Sequence, residues 1–238
     1  MILAGHQPNY LPWLGFFDKA AQADQLILVD TVQFVKRGPF GFQHRAKIKT
    51  AAGALWLTVP VLTKGKFHQA IRETRINNDE PWRRKHWRAI ELNYHHAPFF
   101  DRYAAPLQAF YDKPWERLSE LNVVLIGWLL EALGLRLPVT TASALGVTGV
   151  KTELIVNLCR AVGAETYLHG KHGREYADVT QMERSGIRNL FQDYQHPVYR
   201  QQFGAFVPQL SVIDLLFNHG PDSLAILRGQ RKGVPTVP

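Results

Sequence analysis

The first thirty residues constrain this chain more than any other stretch. Ile2 to Ala4 is a short apolar run, and Gly5-His6-Gln7-Pro8-Asn9-Tyr10 then sets a basic group, an amide, a rigid bend and a phenol close together. After Pro12 the pattern turns helical, with Trp13, Phe16, Phe17, Ala20 and Ala21 three or four residues apart. Gln25 to Val29 reads as a second buried strand with Asp30 at its carboxyl end. A strand, a polar loop, a helix and a strand tipped by an acid are how an open α/β sheet builds a ligand crevice. The expected fold class is therefore α/β: a Rossmann-like, open, mostly parallel sheet.

The rest of the chain adds to that frame. Thr31 to Gly41 is a loop by its glycines and proline, and it carries Lys36 and Arg37 beside aromatic residues. Arg45 to Lys49 and Leu55 to Val61 flank a turn as a β-hairpin, with Ile71, Thr74 and Ile76 expected as a third strand of the same small sheet. Three helices follow. The first opens at Asn78-Asp79-Glu80-Pro81 and holds Trp82, Trp87, Ile90 and Leu92. The second covers Phe99 to Tyr111, and the third carries Leu118, Leu121, Val124, Leu125, Trp128 and Leu129 before Gly134 closes it. This hairpin and helical insertion, about residues 40–134, is expected within a single α/β domain of residues 1–228, ahead of a flexible tail at 229–238. Later, the strand Thr166 to His169 runs straight into Gly170-Lys171-His172-Gly173-Arg174-Glu175-Tyr176, repeating the strand-then-polar-loop order of the amino terminus.

Bulk properties narrow the classes of function. With 28 Lys and Arg against 20 Asp and Glu the formal charge is +8, which suits anionic partners such as nucleotides, sugar phosphates, nucleic acid or a membrane surface. Cys159 is the sole cysteine, so no internal disulfide forms, and a reducing cytoplasm fits. No signal peptide is expected, nor any span of the roughly 18 apolar residues that a membrane helix needs.

The residues able to carry chemistry cluster in three segments. His6 ends the first strand, where it serves as an acid or base or as a phosphate donor, with Gln7, Tyr10 and Lys19 nearby. Asp30 and Gln33 are placed to hold substrate hydroxyls or an amine. Lys36, Arg45 and Lys47 surround a glycine-rich loop as an anion clamp, and Arg45 and Lys47 share one strand face. Gly170 and Gly173, with Lys171, resemble a phosphate cradle at a helix start, though without the spacing of a Walker loop or a dinucleotide fingerprint. Tyr10 and Tyr176 offer stacking faces for a base or sugar. His95-His96 and His169 with His172 lack a second ligand pair at zinc spacing, so no metal is expected. The helix that mixes Trp82 and Trp87 with arginines reads as core with a snorkelling basic face, so nucleic acid is not the expected partner.

The stretch from His6 to Lys19, HQPNYLPWLGFFDK, resembles the signature of the WbqC-like protein family. The similarity continues through Asp30 to Arg37, Gln43 to Ile48, Trp56 to Val61, Gly163 to Gly170, His196 to Tyr199 and Ser211 to Gly220. His44, where members often carry Asn, and His169 to His172, where small residues are commoner, depart from the pattern. Some members lie in bacterial polysaccharide and O-antigen gene clusters. The resemblance therefore implies a transferase that modifies an activated, nucleotide-linked amino sugar by attaching an amino acid or acyl group. Its catalytic residues would be His6, Asp30 and Lys36. Two other readings stay open. One is an ATP-dependent carboxylate-activating or nucleotidylyltransferase-like enzyme, with ATP and Mg²⁺ as cofactor; against it, the paired histidines of nucleotidylyltransferases are missing. The other is a non-catalytic basic module that docks onto a polysaccharide-assembly partner. Donor, acceptor and oligomeric state are left open by the sequence.

Overall fold

A computed structural model describes residues 1–38 and 41–229, with every side chain in that range except Tyr176. Pro39, Phe40 and all of the expected tail beyond Gly229 lie outside the described residues. The chain runs β1 (Ile2–His6), α1 (Leu14–Ala20) and β2 (Gln25–Leu28), then a hairpin of β3 (Arg45–Thr50) and β4 (Gly53–Thr58). Helices α2 (Trp82–Tyr94), α3 (Phe100–Asp112) and α4 (Leu118–Ala132) precede β5 (Val139–Thr141), α5 (Lys151–Val162) and β6 (Thr166–His169). The last part holds α6 (Gly173–Tyr176), α7 (Val179–Arg184), β7 (Arg188–Phe191), α8 (Val212–His219) and α9 (Ser223–Arg228).

Five strands form one parallel sheet in the order β5-β2-β1-β6-β7. Alternation along each strand sorts its side chains between two apolar clusters. Leu3, Ile27 and Tyr167 pack with Leu154, Leu158 and Cys159 of α5 on one face. Ala4, Leu26 and Leu28 pack with Phe16 and Phe17 of α1 and with the inserted helices on the other. Each such fully buried Leu or Phe contributes about 2 kcal/mol. From β1 the chain moves outward through β2 to β5, then returns to build β6 and β7 on the opposite side. The strand order thus reverses between β1 and β6, and an open α/β sheet presents its ligand crevice outside the carboxyl ends of the two strands at such a point.

The hairpin and α2 to α4 lie between β2 and β5 in the chain. The third hairpin strand is absent from the described residues. Residues Ile71–Glu73 instead form a 3₁₀ turn, closed where Glu73 Oε2 accepts the Ala70 N–H at 2.9 Å, and a single bridge joins Val61 to Ile76. Leu92 and Val124, expected in the core, face solvent: the buried face of α2 runs by fours through Trp82, His86, Ile90 and Tyr94, and that of α4 through Leu118, Leu121, Asn122, Leu125 and Leu129.

A buried polar knot ties the hairpin to α8. The Lys49 N–H donates to Tyr94 Oη at 2.8 Å, and the Tyr94 and Tyr199 hydroxyls donate to the two oxygens of Asp214 at 2.8 and 2.9 Å. Lys49 Nζ donates to Gln201 Oε1 at 3.1 Å and to the Ala205 carbonyl. Burial raises the Asp214 pKa to about 6, against the opposing pull of the two tyrosine hydroxyls. Among the described residues no helix is long and apolar enough to cross a membrane.

Candidate functional site

At the strand-order reversal, β1 ends in His6 and its neighbour β6 ends in His169. His6 Nδ1 lies 2.9 Å from the Gln7 carbonyl. A carbonyl has no proton to give, so Nδ1–H is the donor and Nε2 carries the lone pair. Burial, and then the nearby charge of Lys19, lower the His6 pKa to about 4. The ring is therefore a neutral acceptor near pH 7.

His169 mirrors this arrangement. Its Nε2 lies 2.8 Å from Asn189 Oδ1, so Nε2–H donates and Nδ1 holds the lone pair. That Nδ1 is buried and has no hydrogen-bond partner among the described residues. Burial lowers its pKa, with Lys19 and Arg174 adding to the shift and the bond to Asn189 opposing it. The ring stacks on Phe191 at 4.7 Å.

Lys19 lies near enough to both imidazoles for its charge to act on each. It projects from α1 and is only 3% exposed, and Nζ donates one hydrogen bond, to Gly5 O at 2.7 Å. Burial drops its pKa to about 7. No ion pair with a carboxylate joins Lys19 among the described residues. An ammonium taken out of water without a counter-ion is expensive, so the fold holds here a group whose natural complement is an anion.

Two close approaches hold this trio in place. A Cβ on Gly5 would come within 2.5 Å of the Tyr167 hydroxyl, and one on Gly173 within 2.4 Å of His169 Cβ. Gly173 is thus needed so that the turn after β6 can lie against His169. The expected phosphate cradle is corrected on this point. The Gly173 N–H is already used by Gly170 O at 2.8 Å, and α6 is a single turn with little dipole to offer. Lys171 is exposed on this turn, and the side chain of Tyr176 lies outside the described residues.

The second expected group forms on the hairpin side. Gln43 Nε2 donates to Gln7 Oε1 at 2.5 Å, and the Tyr10 N–H reaches the Gln43 carbonyl at 3.2 Å, so the signature loop lies on the strand that begins at Arg45. His44 is buried, and its pKa falls to about 4, first through burial and then through the charges of Arg45 and Lys36. Arg45 donates to Gly41 O at 2.8 Å and lies 4.6 Å over the Trp56 ring, with Lys47 over the same ring at 5.6 Å. Asn9, Trp13, Phe42, Arg45, Lys47 and Gln209 line a cleft here, and buried Asn9 Oδ1 has no partner among the described residues. Lys36 is exposed and donates to Thr63 Oγ1 at 3.2 Å.

Three residues expected in the site already have protein partners. Tyr10 is 1% exposed, its hydroxyl bonded to His86 Nδ1 at 2.9 Å and Tyr111 Oη at 2.6 Å, so its ring offers no stacking face. Asp30 accepts the N–H and hydroxyl of Ser143 at 3.0 and 2.5 Å, clamping the end of β2 to the turn after β5. Gln33 is engaged with the Phe67 carbonyl at 2.8 Å. Conversely, His169 and Asn122 went unassigned in the sequence. Asn122, on α4, is fully buried and donates to the carbonyls of Pro8 and Gln43 at 2.8 and 2.7 Å. A histidine closing each of two short apolar strands was the available signal for His169. A lone amide inside an apolar helical face was the one for Asn122. Among the described residues no cluster of His, Cys, Asp and Glu is arranged to hold a metal ion.

Comparison with known proteins places this geometry in context. The sequence model of the WbqC-like protein family matches residues 7–226. A relative from Mycobacterium tuberculosis, "Uncharacterized protein Rv1507c", is 38% identical over 224 residues, covering 93% of this chain and 95% of that protein. No solved structure matches.

Proposed function

The chain belongs to the WbqC-like protein family, and from that premise we propose that it is a transferase of bacterial surface-polysaccharide synthesis. It attaches an amino acid or acyl group to a nucleotide-linked amino sugar, in a reducing cytoplasm that suits its single buried cysteine. The observation that carries this reading is the His6–Lys19–His169 trio at the strand-order reversal. It is a buried ammonium without a carboxylate, flanked by two neutral imidazoles whose lone pairs lie at adjacent strand ends.

Each member then has a chemical task. Lys19 uses one N–H on Gly5 O, and its other two are donors for a phosphate or carbonyl oxygen. An anion bound beside it supplies the missing negative charge and raises the pKa of His6 toward neutrality. His6 Nε2 accepts a hydrogen bond from the sugar amine and takes its proton as the nitrogen forms a bond to the acyl carbon and the leaving group departs. Lys19 stabilises the oxygen on which charge develops. His169 Nδ1 accepts from a sugar hydroxyl, and Lys36, Arg45 and Lys47 hold the more distant charge.

A thermal-shift panel tests this: nucleotide-linked amino sugars, acetyl-coenzyme A, and ATP with Mg²⁺. A ligand at about 100 times its dissociation constant stabilises the fold by roughly 2.7 kcal/mol. The expected outcome is a shift with an amino-sugar nucleotide that disappears in Lys19→Met and His6→Ala. A shift with ATP and Mg²⁺ alone would move the reading to carboxylate activation, and no shift with any compound would defeat it.

A further inference from the structure

The positive charge of this chain is concentrated in one segment. Residues 31–72 contain eight Lys or Arg and no Asp or Glu, which leaves 20 Lys and Arg elsewhere against all 20 Asp and Glu. One segment therefore accounts for the whole formal charge of +8. The fold turns Lys49 inward to the buried knot beside Asp214 and links the loops that carry the other cations of the segment. Lys36 Nζ reaches Thr63 Oγ1 at 3.2 Å and Gln33 Nε2 reaches the Phe67 carbonyl at 2.8 Å, joining the segment after β2 to the loop after β4. Arg45 Nη2 reaches Gly38 O at 3.4 Å and covers Trp56, joining both to the hairpin. The next acid along the chain, Glu73, is turned onto the Ala70 amide.

The same surface keeps large apolar side chains in water. Phe67 is 78% exposed, Trp56 43% and Leu62 42%, and the loop that carries two of them reads Leu62-Thr63-Lys64-Gly65-Lys66-Phe67. Cations alone suit any polyanion. Exposed Leu and Phe set between lysines are a more selective signal: a nucleic acid gives Leu62 nothing to pack on, whereas the boundary between headgroups and acyl chains accepts leucine and both rings. We propose that this face docks the protein peripherally on an anionic lipid bilayer. Arg37, Lys64 and Lys66 meet headgroup phosphates, while Leu62, Trp56 and Phe67 enter the boundary. The inference does not rest on the transferase reading: Lys64, Lys66 and Phe67, which test it, take no part in the proposed reaction, although Arg45 and Lys47 over Trp56 border both surfaces.

Co-sedimentation of the whole chain with vesicles of phosphatidylglycerol and phosphatidylcholine tests it. Binding is expected at low salt, and it should be lost on pure phosphatidylcholine and weakened at high salt. Joint replacement Lys64→Ser and Lys66→Ser is expected to weaken binding roughly 25-fold, about five-fold for each cation. Phe67→Ser is expected to cost roughly ten-fold at either salt concentration. All three side chains are exposed, so an unchanged melting temperature serves as the folding control. Absence of binding to anionic vesicles, or binding indifferent to Phe67→Ser, overturns the proposal. Tighter binding to single-stranded RNA than to vesicles would assign the face to nucleic acid instead.

Discussion

The crevice at the strand-order reversal and the outer face of the hairpin both collect positive charge, under opposite physical conditions. Lys19 is buried, with one carbonyl as its hydrogen-bond acceptor and the Tyr167 ring 5.7 Å away, whereas Arg45 and Lys47 lie over the Trp56 ring at the surface. Water solvates the hairpin cations and the ring adds a modest attraction, so holding them there costs the fold little. Keeping Lys19 charged at neutral pH opposes folding. A strongly unfavourable placement therefore points more firmly to chemistry than a larger number of comfortable charges.

Acid should separate the two regions most widely. The folded pKa values of His6, His44 and His86 lie near 4, below their unfolded values, with burial the first cause at each. The unfolded state therefore binds more protons, and stability present above pH 6.5 is lost as pH falls toward 4. Each fully buried ring accounts for about 3 kcal/mol, with His44 and His86 giving the larger share because His6 is only half-buried. Asp214 acts in the opposite sense: its raised pKa of about 6 returns some stability over the same interval. Denaturant titrations from pH 7 to pH 4 should show a net fall, and Asp214→Asn should deepen it.

Next in size is Lys19→Met, which keeps the length of the side chain and deletes its charge. We expect activity, or the affinity read from the ligand-induced thermal shift, to drop by about 100-fold or more, while the melting temperature stays level or rises. A clear fall in melting temperature would make Lys19 a structural group and erase the contrast with the hairpin. Gly173→Ala should be milder, at about 1–3 kcal/mol of stability, because the added methyl must displace His169. Activity should fall with it, whereas a methyl at Gly170, which meets nothing within 4 Å, should leave both unchanged. The smallest effect belongs to Arg45→Met, at under about 1 kcal/mol of stability, measured by chemical denaturation.

The order of reading from sequence to structure explains which parts were legible. Strand tips such as His6 and the apolar runs around them follow from local pattern, so β1, α1 and β2 could be placed from the first thirty residues. Tyr10 was assigned to the crevice because its neighbours are polar, yet its hydroxyl is satisfied by His86 and Tyr111 from α2 and α3, far along the chain. Asp30 was placed correctly at a strand end, but its partner, Ser143, is 113 residues away. His169 closes a short apolar strand as His6 does, but only the pairing of β6 with β1, a tertiary fact, brings the two together. The missing hairpin strand is a different failure. Ile71 and Ile76 fit an extended pattern, but the Glu73 side chain closes a turn between them.

That pairing also bears on how the protein is made. β1 emerges from the ribosome well before β6, yet β6 is one of its two neighbours in the sheet, with Ile2 beside Thr166. Gln192 Nε2 reaches back 177 residues to Gly15 O, and Lys49 reaches forward 152 residues to Gln201. Contacts so distant in sequence close late and slow the search for the native state. Until β6 is made, the nascent chain holds Lys19 and one edge of its central strand without their final surroundings. The crevice is then completed only once β6 has left the exit tunnel.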